Sequence, residues 1–167
     1  QRVERPRTLS ISIPAGVDDG NRIRLTGEGE AGTYGGPAGN LYVVLHVQEH
    51  AFFQRRENDI VLTMNINVAQ AALGDEIAVP TMEGEHTLNI PAGTQTGSVF
   101  RLKGQGVPRI HGNGRGDELV IVNVAIPKTL TAEQKRLFAE LGASLGKEVL
   151  PQEDKSFLDR VRDALGF

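Results

Sequence analysis

The chain has no cysteine. Disulfides, thiolate nucleophiles and cysteine-ligated zinc are excluded together, so any metal would need histidine or carboxylate ligands. The four histidines, His46, His50, His86 and His111, are scattered through the sequence without an HExxH or similar cluster. They read as solvated or hydrogen-bonded side chains, and no metal is expected. A basic surplus is also missing. Eighteen Lys and Arg stand against 21 Asp and Glu, for a net charge of -3. Such a chain lacks the positive footprint with which proteins neutralise phosphates, so no nucleic-acid partner is expected. No apolar run approaches the roughly 20 residues of a membrane span, and no charged-then-apolar leader opens the chain. A soluble, cytoplasmic protein without a membrane partner is the expectation. Opening on Gln1 rather than methionine, the sequence reads as an excerpt of a longer one.

What the chain does contain is a repeat. "IPAGVDDGNRIRLTGEG" from Ile13 is echoed by "IPAGTQTGSVFRLKGQG" from Ile90, an offset of 77 with nine of seventeen positions identical. The same offset lays Gly35 on Gly112, Gly39 on Gly116, Val43 on Val120 and Val47 on Val124. Each copy starts from an alternating segment, "LSISI" or "HTLNI", which predicts a half-buried strand. Pro14 or Pro91 ends that strand, because proline donates nothing to a ladder. A turn between glycines leads to a second strand, "RIRLT" or "VFRLK". A glycine-rich loop then leads to a third, almost wholly apolar strand, "LYVVLHV" or "LVIVNVAI". Before the second copy, "DIVLTMNINV" predicts a strand with Ile60, Leu62, Met64, Ile66 and Val68 inward, followed by a helical turn at "AQAALG" and a strand at "DEIAVP". Shifted by 77, residues 59–80 land at -18 to 3. The first copy is therefore expected to lack its opening strands and to expose an edge or borrow a partner.

The end of the chain changes character. Thr131-x-x-Gln134 is a capping box, and Leu137, Phe138, Leu141 and Leu145 recur at helical spacing, predicting a helix over 132–144. Ser156 is placed to cap a second helix, "FLDRVRDALG", whose Phe157, Val161 and Leu165 share one face with Leu158 beside them. At about ten residues it needs a partner to pack on.

One stretch looks like chemistry. Gly27-x-Gly29-x-x-Gly32 has the spacing of a dinucleotide fingerprint, but that fingerprint needs a helix N-terminus after the glycines. Here "TYGGPAGN" and another strand follow, Glu28 and Glu30 would repel phosphate, and the second copy has Arg109 at the third glycine position. A hairpin loop is the better reading than a cofactor-binding enzyme. Asp18 with Asp19 and Asp75 with Glu76 read as turn carboxylates, and Ser10, Ser12 and Ser98 lack a nucleophile elbow. No catalytic residue and no cofactor are expected. On the residues alone, a module that grips extended polypeptide by strand addition and a purely structural β module remain equally open.

The sequence resembles the C-terminal region of the bacterial DnaJ co-chaperones. The resemblance is carried by residues 2–50, by His50, Phe53 and Arg55 as H-x-x-F-x-R, by "AALGDEIAVPTMEGEHTLNIPAGTQTGSVFRLKGQGVP", and by "SFLDRVRDALGF". It implies a mainly β chain of two tandem β-sandwich domains, the first (1–53) incomplete and the second at 54–127, and then a helical dimerisation segment at 128–167. It also implies a non-enzymatic function: binding of unfolded polypeptide clients, and in the intact protein their delivery to a DnaK-type chaperone. Client contacts would fall on Leu9, Ile11, Val43 and Leu45, for which ordinary core packing is the competing role. Homodimerisation would use Phe157, Leu158, Val161 and Leu165. The family's zinc belongs to a region expected to precede this chain, and no His-Pro-Asp tripeptide of a J domain is present.

Overall fold

A computed structural model describes residues 6–147. The elements run β1 (Arg22–Leu25), β2 (Leu41–Val44), β3 (Phe53–Arg56), β4 (Asp59–Asn67), α1 (Val68–Leu73), β5 (Asp75–Thr81), β6 (Gly84–Ile90), β7 (Val99–Leu102), β8 (Glu118–Ala125) and α2 (Ala132–Leu145). The mainly β class expected from the alternating segments is what forms.

The second unit holds the core. Its four-stranded sheet has the order β3-β4-β8-β7, antiparallel at both margins and parallel between β4 and β8. A parallel pair needs a long crossover, and the residues between β4 and β8 supply it as α1, the β5–β6 hairpin and β7. The hairpin contributes Val79, Leu88 and Ile90 to a cluster with Leu62, Ile66, Leu102, Val120 and Val122, and Ala71 of α1 joins them. Of the inward positions read from β4, Ile60, Leu62 and Ile66 are buried, whereas Met64 and Val68 are only half-buried. Asn67 caps α1 through a reciprocal bond with Gln70: each side chain meets the other residue's backbone N–H, at 2.8 and 2.9 Å. This satisfies two N–H groups that the helix leaves without intrahelical partners.

The hairpin of the first copy repeats the strand register of the second. In β1–β2 the register runs Arg22↔Val44, Ile23↔Val43, Arg24↔Tyr42 and Leu25↔Leu41. In β7–β8 it runs Val99↔Ile121, Phe100↔Val120, Arg101↔Leu119 and Leu102↔Glu118, the same pairs displaced by 77. The supporting bonds repeat as well. Gly20 N–H donates to the Leu45 carbonyl at 2.8 Å and Gly97 N–H to that of Val122 at 2.7 Å. Leu45 N–H donates to Asn21 and Val122 N–H to Ser98, both at 2.8 Å.

Two expectations need correction. "LSISI" is not a strand, and among the described residues no backbone hydrogen bond joins it to another segment. Its counterpart β6 is held by β5, whose positions shifted by 77 fall at -2 to 4, outside the described residues. A lone extended segment has no ladder to stabilise it. The apolar strand of the first copy is also shorter than "LYVVLHV" suggests, ending at Val44, although the Leu45 bonds prolong its path.

Helix α2 ends one residue beyond the expected range. Its capping box forms, with Thr131 accepting from Gln134 N–H at 3.2 Å and Gln134 accepting from Thr131 N–H at 2.9 Å. Arg136 bridges Glu133 and Glu140 along one face of the helix. None of its residues is buried, and Leu137, Phe138, Leu141 and Leu145 form an open apolar stripe. The second helix, with Phe157, Leu158, Val161 and Leu165, lies outside the described residues.

Candidate functional site

The glycine loop is a hairpin connection. Residues 26–40 join β1 to its antiparallel partner β2, with one 3-10 turn at Thr33–Gly35 and no helix to receive a pyrophosphate. Gly29 N–H donates to the Gly39 carbonyl at 2.9 Å, and Gly106 N–H to that of Gly116 at 2.8 Å, at the same place in the second copy. A Cβ at either glycine would collide with the facing backbone, at Asn40 or at Asn58 and Gly116. The glycines are there because two chain segments approach closely.

The first copy carries an open apolar surface. No residue from Pro6 to Asp59 is buried. Leu9, Ile11, Val43 and Leu45 are all half-buried, and their neighbours Ser10, Ser12, Val44 and His46 are exposed. Val43 sits in β2 opposite Ile23, and Leu45 follows it on the same parity. Leu9 and Ile11 lie on the unpaired segment. That segment is tethered where Arg7 meets Glu28, with Nη1 to Oε2 at 2.9 Å. The pairs Leu9/Ile11 and Val43/Leu45 are thus on different segments, and no ladder joins them among the described residues. Ile13, Tyr42, Val44, Val47 and Phe52 add further exposed apolar area.

The matched positions of the second copy are closed. Tyr42 is 58% exposed, whereas its counterpart Leu119 is 3% exposed; Val120 and Val122, the counterparts of Val43 and Leu45, are both at 0%. The difference comes from neighbours. β8 lies between β4 and β7 beneath the β5–β6 hairpin, whereas among the described residues β2 pairs with β1 alone. Among the described residues the outer edge of β2 therefore has no partner strand and lies beside apolar side chains, a geometry suited to accepting a further strand.

One polar residue was not singled out from sequence. Glu118 is fully buried, and neither carboxylate oxygen has a hydrogen-bond partner. Burial pushes its carboxyl up to about 7, because the charged form loses its hydration. It occupies the position of Leu41 in the first copy, and the available signal was a single acid opening an otherwise apolar strand. Other acids have partners: Asp117 accepts from Gly104 N–H at 2.8 Å, and Asp59 accepts from Asp117 N–H at 2.7 Å. Among the described residues no three His, Asp or Glu side chains are grouped to hold a metal ion. No described helix is long and apolar enough to cross a membrane.

Comparison with known proteins assigns the family. Residues 1–127 match the DnaJ C terminal domain, and residues 133–166 match the Chaperone protein DnaJ C-terminal region. The chain is 52% identical over 166 residues to a protein named "Chaperone protein DnaJ" from Roseiflexus sp. (strain RS-1), covering 99% of this chain and 45% of that protein. It is 51% identical over 147 residues to one of the same name from Bacillus cytotoxicus, covering 88% of this chain and 40% of that protein. Against its namesake from Bacillus cereus (strain B4264) the identity is 47% over 163 residues, covering 98% and 42%. The chain thus spans less than half the length of these chaperone relatives. With matched family regions covering both β units and the helical end, the chain belongs to the DnaJ family, as part of its C-terminal region.

Proposed function

We propose that the chain binds unfolded polypeptide on its first β unit, taking apolar side chains against Leu9, Ile11, Val43 and Leu45 and backbone along the adjoining edge. The supporting observation is the contrast in burial between copies of identical register: Val43 is half-buried where Val120 is fully buried. Completing the burial of one half-buried Val or Leu is worth on the order of 1 kcal/mol. Four such contacts give about 4 kcal/mol, a millimolar grip by themselves. Strand addition supplies the remainder without reading sequence, which suits a partner defined by being unfolded. No catalytic step is assigned. Homodimerisation is proposed through Phe157, Leu158, Val161 and Leu165, and delivery of clients to a DnaK-type chaperone belongs to the whole DnaJ protein.

Fluorescence anisotropy of a labelled, permanently unfolded polypeptide tests the binding surface. The double variant Val43→Ser, Leu45→Ser should weaken binding at least tenfold, and Val44→Ser should leave it within twofold. Unchanged affinity in the double variant would remove the site, and the chain would then read as a structural β module. Sedimentation with and without residues 151–167 tests the dimer: a monomer at high concentration in the longer form would rule it out.

A further inference from the structure

The two copies contain the same turn used in two ways. Gly16 and Gly93 have φ of +87° and +81°, and each turn closes with an equivalent backbone bond, Asn21 N–H to Asp18 and Ser98 N–H to Gln95, both at 3.1 Å. Gly93 N–H donates to the Ala71 carbonyl at 2.9 Å, at the end of α1, and a Cβ there would meet open space. Gly16 instead faces the second unit so closely that a Cβ would overlap the Pro108 carbonyl. The repeat does not require this contact, because only one copy makes it.

A second contact grips the same turn. Arg55 lies on β3, at the margin of the second unit's sheet, and its side chain is 24% exposed. Its Nη2 donates to the Gly16 carbonyl at 2.9 Å and its Nη1 to the Val17 carbonyl at 2.6 Å, while Asp18 Oδ2 stands 4.0 Å from Nη2. Its Nε donates to the Glu57 carbonyl at 2.7 Å, which fixes the plane of the fork. A planar guanidinium can hold three carbonyls in fixed directions, and a lysine ammonium on its flexible stem cannot. Residues 48–52, which connect the units, form neither strand nor helix.

We propose that Arg55 and Gly16 form a two-point latch that locks the first β unit against the second: the arginine fork pulls the turn in, and the glycine lets it seat on Pro108. Arg55 is a positioning residue in this scheme. It holds the surface bearing Leu9, Ile11, Val43 and Leu45 in one orientation, and the latch stands whether or not that surface binds polypeptide. A larger side chain at Gly16 or a single-point donor at Arg55 frees the units to move about residues 48–52.

The absence of cysteine makes the test direct. Arg24→Cys on β1 and Asn89→Cys on β6, both at exposed positions, introduce two unique sites for nitroxide labels in the 167-residue chain. Pulsed electron–electron double resonance then reads the distance distribution between units. The doubly labelled parent should give one narrow peak. Gly16→Ala and Arg55→Lys should each at least double its width, while Gly93→Ala and Arg56→Lys leave it unchanged. Gly93→Ala carries the same left-handed backbone strain without the contact, so equal broadening by the two glycine variants would overturn the latch. A parent-like peak in either Gly16→Ala or Arg55→Lys would also overturn it. Circular dichroism on every variant ensures that the strands are intact when the distance is read.

Discussion

The first and second copies of the repeat share strand register, turn bonds and loop bracing, yet one is open and the other is a core. Val43 and Val120 occupy the same place in the same hairpin, opposite Ile23 and Phe100. Only Val120 is sealed, because β4 lies beside its strand and Val79, Leu88 and Ile90 cover it. A hairpin can thus be specified locally down to each bond without being buried. Burial is a property of what surrounds it.

The largest break in this comparison should come from charge. Val120→Asp places a carboxylate in a fully buried site and should destabilise the second unit by about 4 kcal/mol or more, a large part of a typical domain's stability. Val43→Asp, with solvent at hand, should cost about 1 kcal/mol. Urea unfolding followed by circular dichroism compares them, and similar midpoints would mean that the first copy is closed after all.

Glu118 offers a smaller effect with a pH signature. Its carboxyl ionises near 4.5 in the unfolded chain and at about 7 in the folded one, so the folded state binds this proton more tightly. The stability it contributes is full below pH 4.5, declines as pH rises towards 7 and levels off above. Glu118→Leu, which restores the first copy's residue, should raise stability at pH 8 by roughly 2–3 kcal/mol and flatten that slope. Denaturation at pH 5 and pH 8 checks it, and an equal gain at both would assign the effect to packing rather than ionisation.

The finest distinction lies in the loop braces. Asp117 accepts from Gly104 N–H at 2.8 Å and pairs with Arg101, whereas its counterpart Asn40 accepts from Gly27 N–H at 3.3 Å. Asp117→Ala should cost about 1.5 kcal/mol and Asn40→Ala about 0.5 kcal/mol, since a charged acceptor at shorter range makes the stronger bond. Amide hydrogen exchange at Gly104 and Gly27 reads each brace separately, and equal acceleration at the two glycines would contradict the ranking.

Much of the fold was legible because it rests on short-range rules. Alternation located β4, β5 and β6, the turn of the repeat placed β7, the Thr131 and Gln134 pair located the start of α2, and the 77-residue echo matched glycine to glycine. "LSISI" was misread because alternation shows that a segment suits a ladder, not that one is there to join. Glu118 escaped because an acid at a strand's end is usually solvated, whereas here it is enclosed in the sheet between Ile60 and Leu102. The four surface positions were reached through family resemblance. Periodicity gave their parity and could not say whether the face was covered.

By itself the sequence determined the turns, the parity of the strands and the repeat. These depend on glycine and proline backbone preferences and on side-chain parity, which act over a few residues. Only the tertiary structure decided which copy became core, that Glu118 lost its water, and that Gly16 rather than Gly93 met the neighbouring unit under Arg55. Those outcomes depend on which segments come together in space, because burial and desolvation are set by neighbours distant along the chain.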